Sequence, residues 1–312
     1  DGGTTDGGDT LTTYLQQMDV SQIDLVINTH PDNDHLQGLK QVGEHFTVNQ
    51  MIVPDLPQDL LPSTDEYLST MEVYQEKDVP IKQAVSNETV WLDELKIEFL
   101  APLQFYDTMN NNSVVVKLTY GDTSFLMMGD AEKEEEQDLI NSGANLQADV
   151  IKIGHHGSKT STSDALLAAV SPQYAVISVG EGNKYGHPNA ETLNKLRADG
   201  VSIFRTDEQG TIVATSDGSA ITWNCSPSES WQAGEPTGSS TGSTASQSAV
   251  VENSDDAASP DTDADVTVHI TNTGTKYHAA GCRYLKDSDI EVPLSEAKDR
   301  GYTPCSVCKP PQ

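Results

Sequence analysis

Two histidines and two aspartates lie within one six-residue stretch, His30-Pro31-Asp32-Asn33-Asp34-His35. The apolar run before it predicts a buried strand that ends at Thr29, and a helical pattern begins at Leu36. The stretch is therefore a loop at the carboxyl edge of a sheet, where open α/β sheets usually hold their ligands. Imidazole nitrogens and carboxylate oxygens that converge in a short loop suit zinc, manganese or iron. The alternative, that the Asp and Asn side chains only cap the next helix, leaves the histidines unexplained.

Other residues with the same chemistry also lie beside predicted strands or helices. Asp130 ends an apolar strand, and His155 and His156 follow the predicted strand 149–153. His187 lies in a Gly-His-Pro loop just before a predicted helix. Any one of these side chains is better explained by a local structural role, but together they predict a metal site.

The elements that must position these residues alternate between strand-like and helix-like patterns, which predicts an α/β domain over residues 1–225. Helices are predicted at 9–20, 35–46, 63–75, 131–140, 163–170 and 189–198. Strands are predicted at 23–29, 48–53, within 81–100, and at 113–120, 123–128, 149–153, 174–179, 201–204, 211–214 and 220–223. A hairpin is predicted around Gly121-Asp122. Hairpins mixed with strand–helix units indicate two mixed sheets packed together, with helices outside.

The motifs, taken in chain order, resemble the metallo-β-lactamase fold superfamily, and within it the nuclease-like domain of ComEC-type competence proteins. The resemblance covers residues 1–223 and rests on six motifs: Asp1-Gly2-Gly3, His30 to His35, Asn111-Asn112-Ser113, Gly129-Asp130, Gly154-His155-His156-Gly157-Ser158 and Tyr185-Gly186-His187-Pro188. The fold that it implies is an αββα sandwich. One or two divalent metals, zinc or manganese, would lie between the sheet edges.

The resemblance also implies a role for each metal-binding residue. His30 and Asp32 would hold a first metal, Asp34 and His35 would hold a second, and Asp130 would bridge the two. Either His155 or His156 would complete the second site, and the sequence leaves that choice open. The superfamily usually has His where Asp32 and Asn112 stand. Both replacements weaken the first site and favour manganese over zinc there.

Metal-assisted hydrolysis is the activity that the resemblance implies, because a metal can lower the pKa of bound water from 15.7 to roughly 7. Asp34 would orient the water or act as base. His187, or whichever of His155 and His156 is not a ligand, would help the leaving group depart. His187 could equally bind substrate or a metal at the rim of the site. The remaining motif residues, Asp1, Asn112, Ser113 and Ser158, would orient the metal loop or contact substrate.

The chain is strongly acidic, with a net charge of −30 from 18 basic and 48 acidic residues. An acidic surface repels polyanions at long range, which argues against strong sequence-independent binding of nucleic acid. It is compatible with a local, metal-centred phosphate site. No apolar run is long enough to span a bilayer, so we expect no stable membrane insertion of this stretch of chain. We expect an extracellular or cell-surface bacterial protein, although no signal sequence is visible in the stretch given, and we leave its oligomeric state open.

Residues 226–265 are rich in Ser, Thr, Gly, Asp, Pro and Ala, which predicts a disordered linker before a small module at 266–312. In that module His278-x3-Cys282 and Cys305-x2-Cys308 have the spacing of a structural zinc site. So small a module cannot rely on its core alone. The alternatives are a disulfide between Cys305 and Cys308 or a redox pair, and neither uses the other two residues.

The sequence around this motif, Lys276 to His278, Cys282 to Leu285 and residues 300–310, resembles the zinc-binding module of Ada-type DNA repair proteins. His278 stands where Ada-type modules have Cys. Three hypotheses for the whole chain follow. The first is a metal-dependent phosphodiesterase or nuclease whose substrate is DNA or another phosphodiester. The second is an esterase or lactonase of the same fold, and the third is a metal-binding module without turnover.

Overall fold

The computed structural model describes residues 1–234 and, beyond them, residues 267–271, 276–279, 282, 285, 290–294, 297, 302–305 and 308. The chain divides into two compact units, Asp1–Gly242 and Ser243–Gln312, and each is described by itself. Within the described residues, no helix has both the length and the apolar character that crossing a bilayer requires.

The helices of the first unit are α1 Thr5–Gln17, α2 Asn33–His45, α3 Asp65–Glu76, α4 Lys133–Asn141, α5 Asp164–Val170, α6 Ala190–Ala198 and the single turn α7 Thr206–Gln209. Its strands are β1 Gln22–Ile23, β2 Val26–Ile27, β3 Thr47–Val48, β4 Met51–Val53, β5 Ile81–Gln83, β6 Thr89–Leu92, β7 Leu95–Ala101, β8 Val115–Tyr120, β9 Thr123–Met127, β10 Val150–Lys152, β11 Tyr174–Ile177, β12 Ser202–Arg205, β13 Ala214–Ser216 and β14 Ile221–Trp223. Two 3-10 turns, Asn110–Asn112 and Gly154–Gly157, carry motif residues.

Two sheets form the middle of the unit. The larger has seven strands in the order β12-β11-β10-β9-β8-β7-β6, parallel from β12 to β9 and antiparallel from there to β6. The smaller is the parallel sheet β2-β4-β5. The predicted hairpin at Gly121 is confirmed as the β8–β9 connection. Because β9, β10 and β11 are parallel neighbours, the loops that follow them leave the sheet at one edge.

Alternating side chains on the strands divide the core into layers. Met51 of β4 packs with Tyr74 of α3, whereas its neighbour Ile52 packs with Phe99 of β7. Similarly, Val115 of β8 belongs to the cluster that contains α4, α5 and α6, while the residues on either side of it face the smaller sheet. The order is therefore helices, small sheet, large sheet, helices, and the predicted αββα sandwich is confirmed.

Most elements overlap the predictions, but several bounds differ. Helix α1 begins and ends about three to four residues before the predicted 9–20, and β13 overlaps the predicted strand 211–214 at one residue only. The predicted strands 23–29 and 48–53 are each split into two short strands that belong to different sheets, because their ends pair in β1-β3 and β2-β4-β5.

Helix caps explain where two helices begin. Thr64 accepts a hydrogen bond from Tyr67 N at 3.3 Å, so α3 begins within the predicted helix 63–75. Ser163 accepts from Leu166 N at 3.2 Å and starts α5. The several short strands predicted within 81–100 are confirmed as β5, β6 and β7.

The predicted linker boundary at residue 226 is wrong. Ser228 N donates to Ile203 O at 2.7 Å, and Arg205 donates to Gln232 O at 2.7 Å. Trp231 packs against the largest core cluster. Residues 226–234, called the strap below, are therefore held on the first unit. The average composition of residues 226–265 is polar and hides one large apolar side chain, Trp231, which is enough to anchor the strap. The rest of the predicted linker lies outside the described residues.

The described part of the second unit contains two strand pairs. Strands β15 Thr267–Ile270 and β17 Ile290–Pro293 are antiparallel, and β16 Lys276–Tyr277 and β18 Thr303–Pro304 are parallel. An apolar cluster supports them, consisting of Val268, Ile270, Tyr277, Val292, Leu294 and Ala297. Leu285 packs with Cys282 and Cys305 in another cluster of the described residues.

Candidate functional site

The stretch from His30 to His35 follows β2 after two residues, and only its first half is a loop, because α2 begins at Asn33 and includes Asp34 and His35. Asn28 donates its side-chain amide to His30 O at 2.8 Å, which fixes the turn, and both His30 and His35 are fully buried. Asp32 occupies the N-cap position of α2, yet its side chain makes no capping hydrogen bond. Its Oδ2 lies 3.7 Å from His30 Nε2 instead. Helix capping therefore does not account for this loop.

The Gly129-Asp130 turn brings a carboxylate from the end of β9 to the two buried histidines. Gly129 has a φ of +56°, and a Cβ there would lie 2.9 Å from Ser113 Oγ, so the turn requires glycine. The same Ser113 Oγ accepts a hydrogen bond from Asp130 N at 3.0 Å. Asp130 Oδ2 then lies 3.3 Å from His35 Nε2.

The turn after β10 carries the paired histidines in a strained conformation. His155 and His156 have φ values of +45° and +53°, in the left-handed region that side chains with a Cβ rarely adopt. Such strain persists where the surrounding structure over-determines it, commonly at functional sites. His156 Nε2 lies 3.5 Å from Asp130 Oδ2 and 3.1 Å from His35 Nε2. His156 is thus the member of the pair that joins His35.

In both His35 and His156, the hydrogen bond made by Nδ1 determines whether Nε2 carries a proton or a lone pair. His35 Nδ1 lies 2.9 Å from Asp1 Oδ1, and His156 Nδ1 lies 2.7 Å from Ser178 O. Because both partners are acceptors, each Nδ1 carries the proton and each Nε2 presents a lone pair. Two lone pairs and a carboxylate in contact repel one another unless a cation lies among them, so a divalent cation fits this donor set.

Asp1 belongs to the same group, since one ligand atom each from Asp1, His35, Asp130 and His156 lies within 4.8 Å of the others. Its two oxygens are already used, however: Oδ1 faces His35, and Oδ2 pairs with Lys152 Nζ at 2.8 Å. Asp1 therefore orients His35 rather than binding a cation itself. Asp34 lies on the solvent-exposed side of this group, with its Oδ2 3.3 Å from His156 Nε2.

The surroundings of His30, predicted to hold the first metal, contain unsatisfied polar atoms. Among the described residues, His30 Nε2 and Asp130 Oδ1 are buried atoms without a hydrogen-bond partner, and such atoms normally have one. His30 Nε2 lies 3.9 Å from Asp130 Oδ2 as well as 3.7 Å from Asp32 Oδ2. This group of one imidazole and two carboxylates is richer in oxygen than the group around His35 and His156.

The carboxylates of the site are held ionised. When the rings of His35 and His156 are protonated, Nε2 of each also carries a proton that it donates to a carboxylate. Burial raises the pKa of Asp130, but this hydrogen bond from His35 and the nearby His156 and His30 outweigh burial and hold the pKa well below its ordinary value. The corresponding hydrogen bond from His156 is the main reason why the pKa of Asp34 falls to about 2. In the neutral rings the Nε2 lone pairs face the same carboxylates, and a cation would take the place of the ring protons. Both carboxylates are therefore negative at neutral pH, the state that a metal ligand or a base requires.

The histidines beyond the cluster differ in charge. Burial, followed by the neighbouring His155 and His156, lowers the pKa of His187 to about 4, so its ring is neutral at neutral pH. A neutral ring suits a hydrogen-bonding or ligating role better than delivery of a proton. Burial lowers the pKa of His155 too, but Glu132 and Asp130 outweigh that effect and leave it above its ordinary value. His155 Nδ1 lies 3.2 Å from Glu132 Oε1, and its Nε2 lies 3.9 Å from Asp130 Oδ2.

Two of the predicted substrate or orienting residues lie outside the cluster. Asn112 is fully buried, and its side chain bonds the backbone of Tyr106 and Thr108 at 2.7–3.1 Å, so it shapes its own loop. Ser158 Oγ accepts from Thr160 N at 3.3 Å and closes a turn. Ser113, by contrast, contacts both Asp130 N and, at 3.4 Å, His30 Nδ1.

Sequence reasoning missed several residues that support the site. Lys152 is buried and pairs with Asp1, and burial lowers its pKa to about 8. The signal for it was a lysine inside the apolar strand Val150-Ile151-Lys152-Ile153. Glu132, which holds His155, carried no such signal because it begins a charged helix.

Beside the cluster lies a pocket of about 300 Å³. Asp34, His156, His187 and Tyr185 contribute side chains to it, and Gly3, Gly7 and Gly180 contribute backbone. The metal-binding groups thus border a space large enough for part of a substrate.

The second unit brings the four residues of its motif together as predicted. Ligand atoms of His278, Cys282, Cys305 and Cys308 lie within 4.8 Å of one another. His278 Nδ1 is 3.3 Å from Cys282 Sγ, and no disulfide joins any cysteine of the described residues. Desolvation, together with Cys282 and Cys305, raises the pKa of Cys308 to about 11. A cation among the four ligand atoms would favour the thiolate of Cys308, so a metal fits this set as well.

Fold and site together define the class: an αββα sandwich with a His and Asp metal centre at its sheet edges. Residues 1–181 match the metallo-beta-lactamase superfamily, and the chain belongs to that family. The chain is 32% identical over 208 residues to ComE operon protein 3 of Bacillus subtilis (strain 168), covering 66% of this chain and 26% of that protein. It is 32% identical over 200 residues to Competence protein ComA of Neisseria gonorrhoeae, covering 64% and 26%.

Recombination protein 2 of Haemophilus influenzae is 28% identical over 200 residues, covering 64% of this chain and 23% of the relative. The chain therefore spans about a quarter of the length of these three relatives. Among solved structures, CmlA, a diiron beta-hydroxylase from Streptomyces venezuelae, is similar with a TM-score of 0.43 and 12% identity, over 60% of this chain and 44% of that chain. So distant a likeness carries no conclusion about chemistry.

Proposed function

We propose that this chain is a metal-dependent phosphodiesterase whose substrate is DNA or another phosphodiester. The observation that carries the proposal is the facing pair of imidazole lone pairs, His35 and His156, closed by the carboxylate of Asp130. A divalent cation bound there, zinc or manganese, would lower the pKa of a water molecule and neutralise charge on phosphoryl oxygens. His30 and Asp32 would hold a second cation with Asp130.

The chain's own residues supply positioning and proton transfer. Asp34 is half-exposed at the edge of the pocket and ionised, so it is the residue placed to orient a water molecule and accept its proton. His187 borders the same pocket as a neutral ring and would hydrogen-bond the substrate. His155 contacts Glu132 through Nδ1 and lies near Asp130 through Nε2, and it would help the leaving oxygen depart.

The preference for DNA is supported by the relatives rather than by the charge of this chain. Two of the relatives are named a competence protein and a recombination protein. Both words concern the handling of DNA, and we extend that association to this chain. With a net charge of −30, the surface itself would not attract a polyanion. Recognition would therefore be local, through the cations and the pocket beside them. We also propose that the chain acts at or outside the surface of a bacterial cell, which cell fractionation can test.

The test is release of acid-soluble nucleotides from DNA with added Mn²⁺ or Zn²⁺. We expect wild-type activity that EDTA abolishes, and a loss of at least about 100-fold in Asp130→Asn, since an ionised metal ligand contributes several kcal/mol and each tenfold is about 1.4 kcal/mol. Asp122→Asn, in the exposed β8–β9 turn, is the matched control and should retain full activity. Activity that survives EDTA or Asp130→Asn would refute the proposal.

A second candidate is a small-molecule esterase or lactonase, which the acidic surface favours because it repels polymers of phosphate. A panel of small phosphodiesters, lactones and oligonucleotides of increasing length separates the two. A small-molecule enzyme would turn over the short esters and ignore polymer length. Near-stoichiometric metal without turnover of any panel member would indicate a non-catalytic metal-binding module.

A further inference from the structure

Tyr185 is an aromatic residue that remains 62% exposed beside the metal-binding residues. An exposed aromatic is by itself ordinary. This one lines the same pocket as Asp34 and His156, and its ring lies against the imidazole of His187, with centroids 5.7 Å apart and planes at 25°. One face of the pocket entrance is thus a flat, supported aromatic surface.

The backbone that carries the ring is held in place by one side chain. Asn183 Oδ1 accepts from Tyr185 N at 3.1 Å and from His187 N at 3.0 Å. Its Nδ2 donates to His187 O at 2.6 Å and to Gly180 O at 3.1 Å. Asn189 Nδ2 adds a bond to Gly186 O at 3.1 Å. The backbone of the loop is therefore ordered before anything binds, and the contact with His187 supports the ring from one side, which lowers the entropy cost of stacking on it.

A positive charge accompanies the ring. Lys184 Nζ lies over the ring of Tyr185, 4.8 Å from its centroid, and because this side chain is fully exposed it can swing off the ring when a base stacks there. In a chain with a net charge of −30, a lysine beside the cation site is well placed to meet a phosphate that approaches it. An aromatic face with a neighbouring cation is the combination by which proteins bind single-stranded nucleic acid, since every base has a π-face.

We propose that Tyr185 is a stacking platform for the nucleobase next to the scissile phosphodiester, and that Lys184 contacts the adjoining phosphate. This deepens the proposed function and rests on it. A base inside a duplex has both faces covered by its neighbours, whereas a base in a single strand offers a face to the ring. The substrate class is therefore single-stranded, base-bearing polynucleotide or the frayed end of a duplex.

The experiment compares two single-stranded oligonucleotides of the same length, an oligothymidylate and one of abasic residues with the same phosphates. We expect Tyr185→Ala to raise KM for the oligothymidylate about tenfold, about 1.4 kcal/mol, with kcat within about twofold. KM for the abasic oligonucleotide should not change. Tyr185→Phe and Tyr185→Trp should retain the wild-type KM. Trp91→Ala is the matched control, because Trp91 is 60% exposed but lies on β6, outside the pocket.

Two results separate this inference from the proposed function. If the wild type cleaves both oligonucleotides with equal KM, or if Tyr185→Ala changes both equally, the platform is overturned while the phosphodiesterase stands. If the wild type cleaves neither, the proposed function fails, and the anisotropy of a fluorescein-labelled oligothymidylate decides the platform. Tenfold weaker binding to Tyr185→Ala than to wild type would support it, and equal binding would overturn it.

Discussion

At the scale of single residues, the site depends on partners behind the metal-binding rings as much as on the rings themselves. Asp1 Oδ1 accepts a hydrogen bond from His35 Nδ1, and Asp1 Oδ2 forms an ion pair with Lys152. This pair therefore orients the ring of His35 so that the lone pair on its Nε2 faces Asp130. Groups of this kind fix the tautomer and the direction of a metal-binding histidine. Their contribution is measurable through metal affinity without any assay of turnover.

Asp1→Asn should weaken binding of Mn²⁺ by about 10-fold to 100-fold, because the amide cannot accept from both His35 and Lys152. Isothermal titration calorimetry measures this directly. Asp6→Asn, exposed in the first turn of α1, is the control and should bind as wild type does. Unchanged affinity in Asp1→Asn would mean that His35 is oriented without its help.

Because of Glu135, we expect the free energy of unfolding to depend on pH. Glu135 is fully buried in α4, and burial raises its pKa well above the ordinary 4.5, with Glu136 and Asp138 adding to that effect. Below pH 4.5 both the folded and the unfolded state hold the proton. As the pH rises above that value only the unfolded state releases it, so the folded state loses stability. Glu135→Gln should therefore stabilise the protein at pH 7.5 and have little effect at pH 4.

Urea unfolding at the two pH values measures this difference. Glu134→Gln changes an exposed carboxylate on the same helix and should show no comparable dependence on pH. An equal effect of Glu135→Gln at pH 4 and pH 7.5 would contradict the assignment of a buried, protonated carboxyl.

At the scale of elements, the strap connects the core to the His187 loop. Trp231 packs on the largest cluster beneath the guanidinium of Arg197, 4.6 Å from the ring centroid. Three residues later Gly234 N donates to Pro188 O at 3.0 Å. A segment whose composition predicts disorder thus contributes to the packing behind one wall of the pocket.

Trp231→Ala should lower the free energy of unfolding of the first unit by about 2 kcal/mol, since it exposes part of the core and removes a cation–π contact. Trp91→Ala, an exposed tryptophan, should change it by no more than about 0.5 kcal/mol. Chemical denaturation followed by far-UV circular dichroism gives both values. Equal stability of the two variants would mean that the strap does not support the fold.

At the scale of the whole molecule, the two units present metal-ligand groups of different kinds. The first unit presents a site that borders a pocket, which a catalytic centre needs. In the second, three thiols and one imidazole enclose one point, which is the arrangement of a closed structural zinc site. Binding energy in such a site is folding energy, because the unfolded chain does not hold the ligands together.

The four cysteines report on that second site. In the metal-loaded protein we expect only Cys225 to react quickly with a thiol reagent such as DTNB, because Cys282, Cys305 and Cys308 are engaged. Chelation should add three reactive thiols and release about one equivalent of zinc per chain. Three reactive thiols before chelation, or no zinc released after it, would contradict the assignment.

The sequence alone predicted the family, the sandwich architecture and the presence of a metal-binding cluster. The Gly121 hairpin and the helices α3 and α5 follow from local preferences of neighbouring residues, so they could be predicted without the fold. The clustering of His and Asp at strand ends identified a metal site because parallel strands end at one edge. The Cys and His spacing of the small module did the same at shorter range.

Only the tertiary structure decided between His155 and His156, because the direction of each ring depends on an acceptor far along the chain: Ser178 O for His156, and Glu132 for His155. It also removed Asn112 from the site and brought Lys152 to Asp1. The tertiary structure also shows that the strap is held on the core by the packing of Trp231. These outcomes rest on contacts between residues distant in sequence, and local pattern does not encode which of several distant partners a side chain meets.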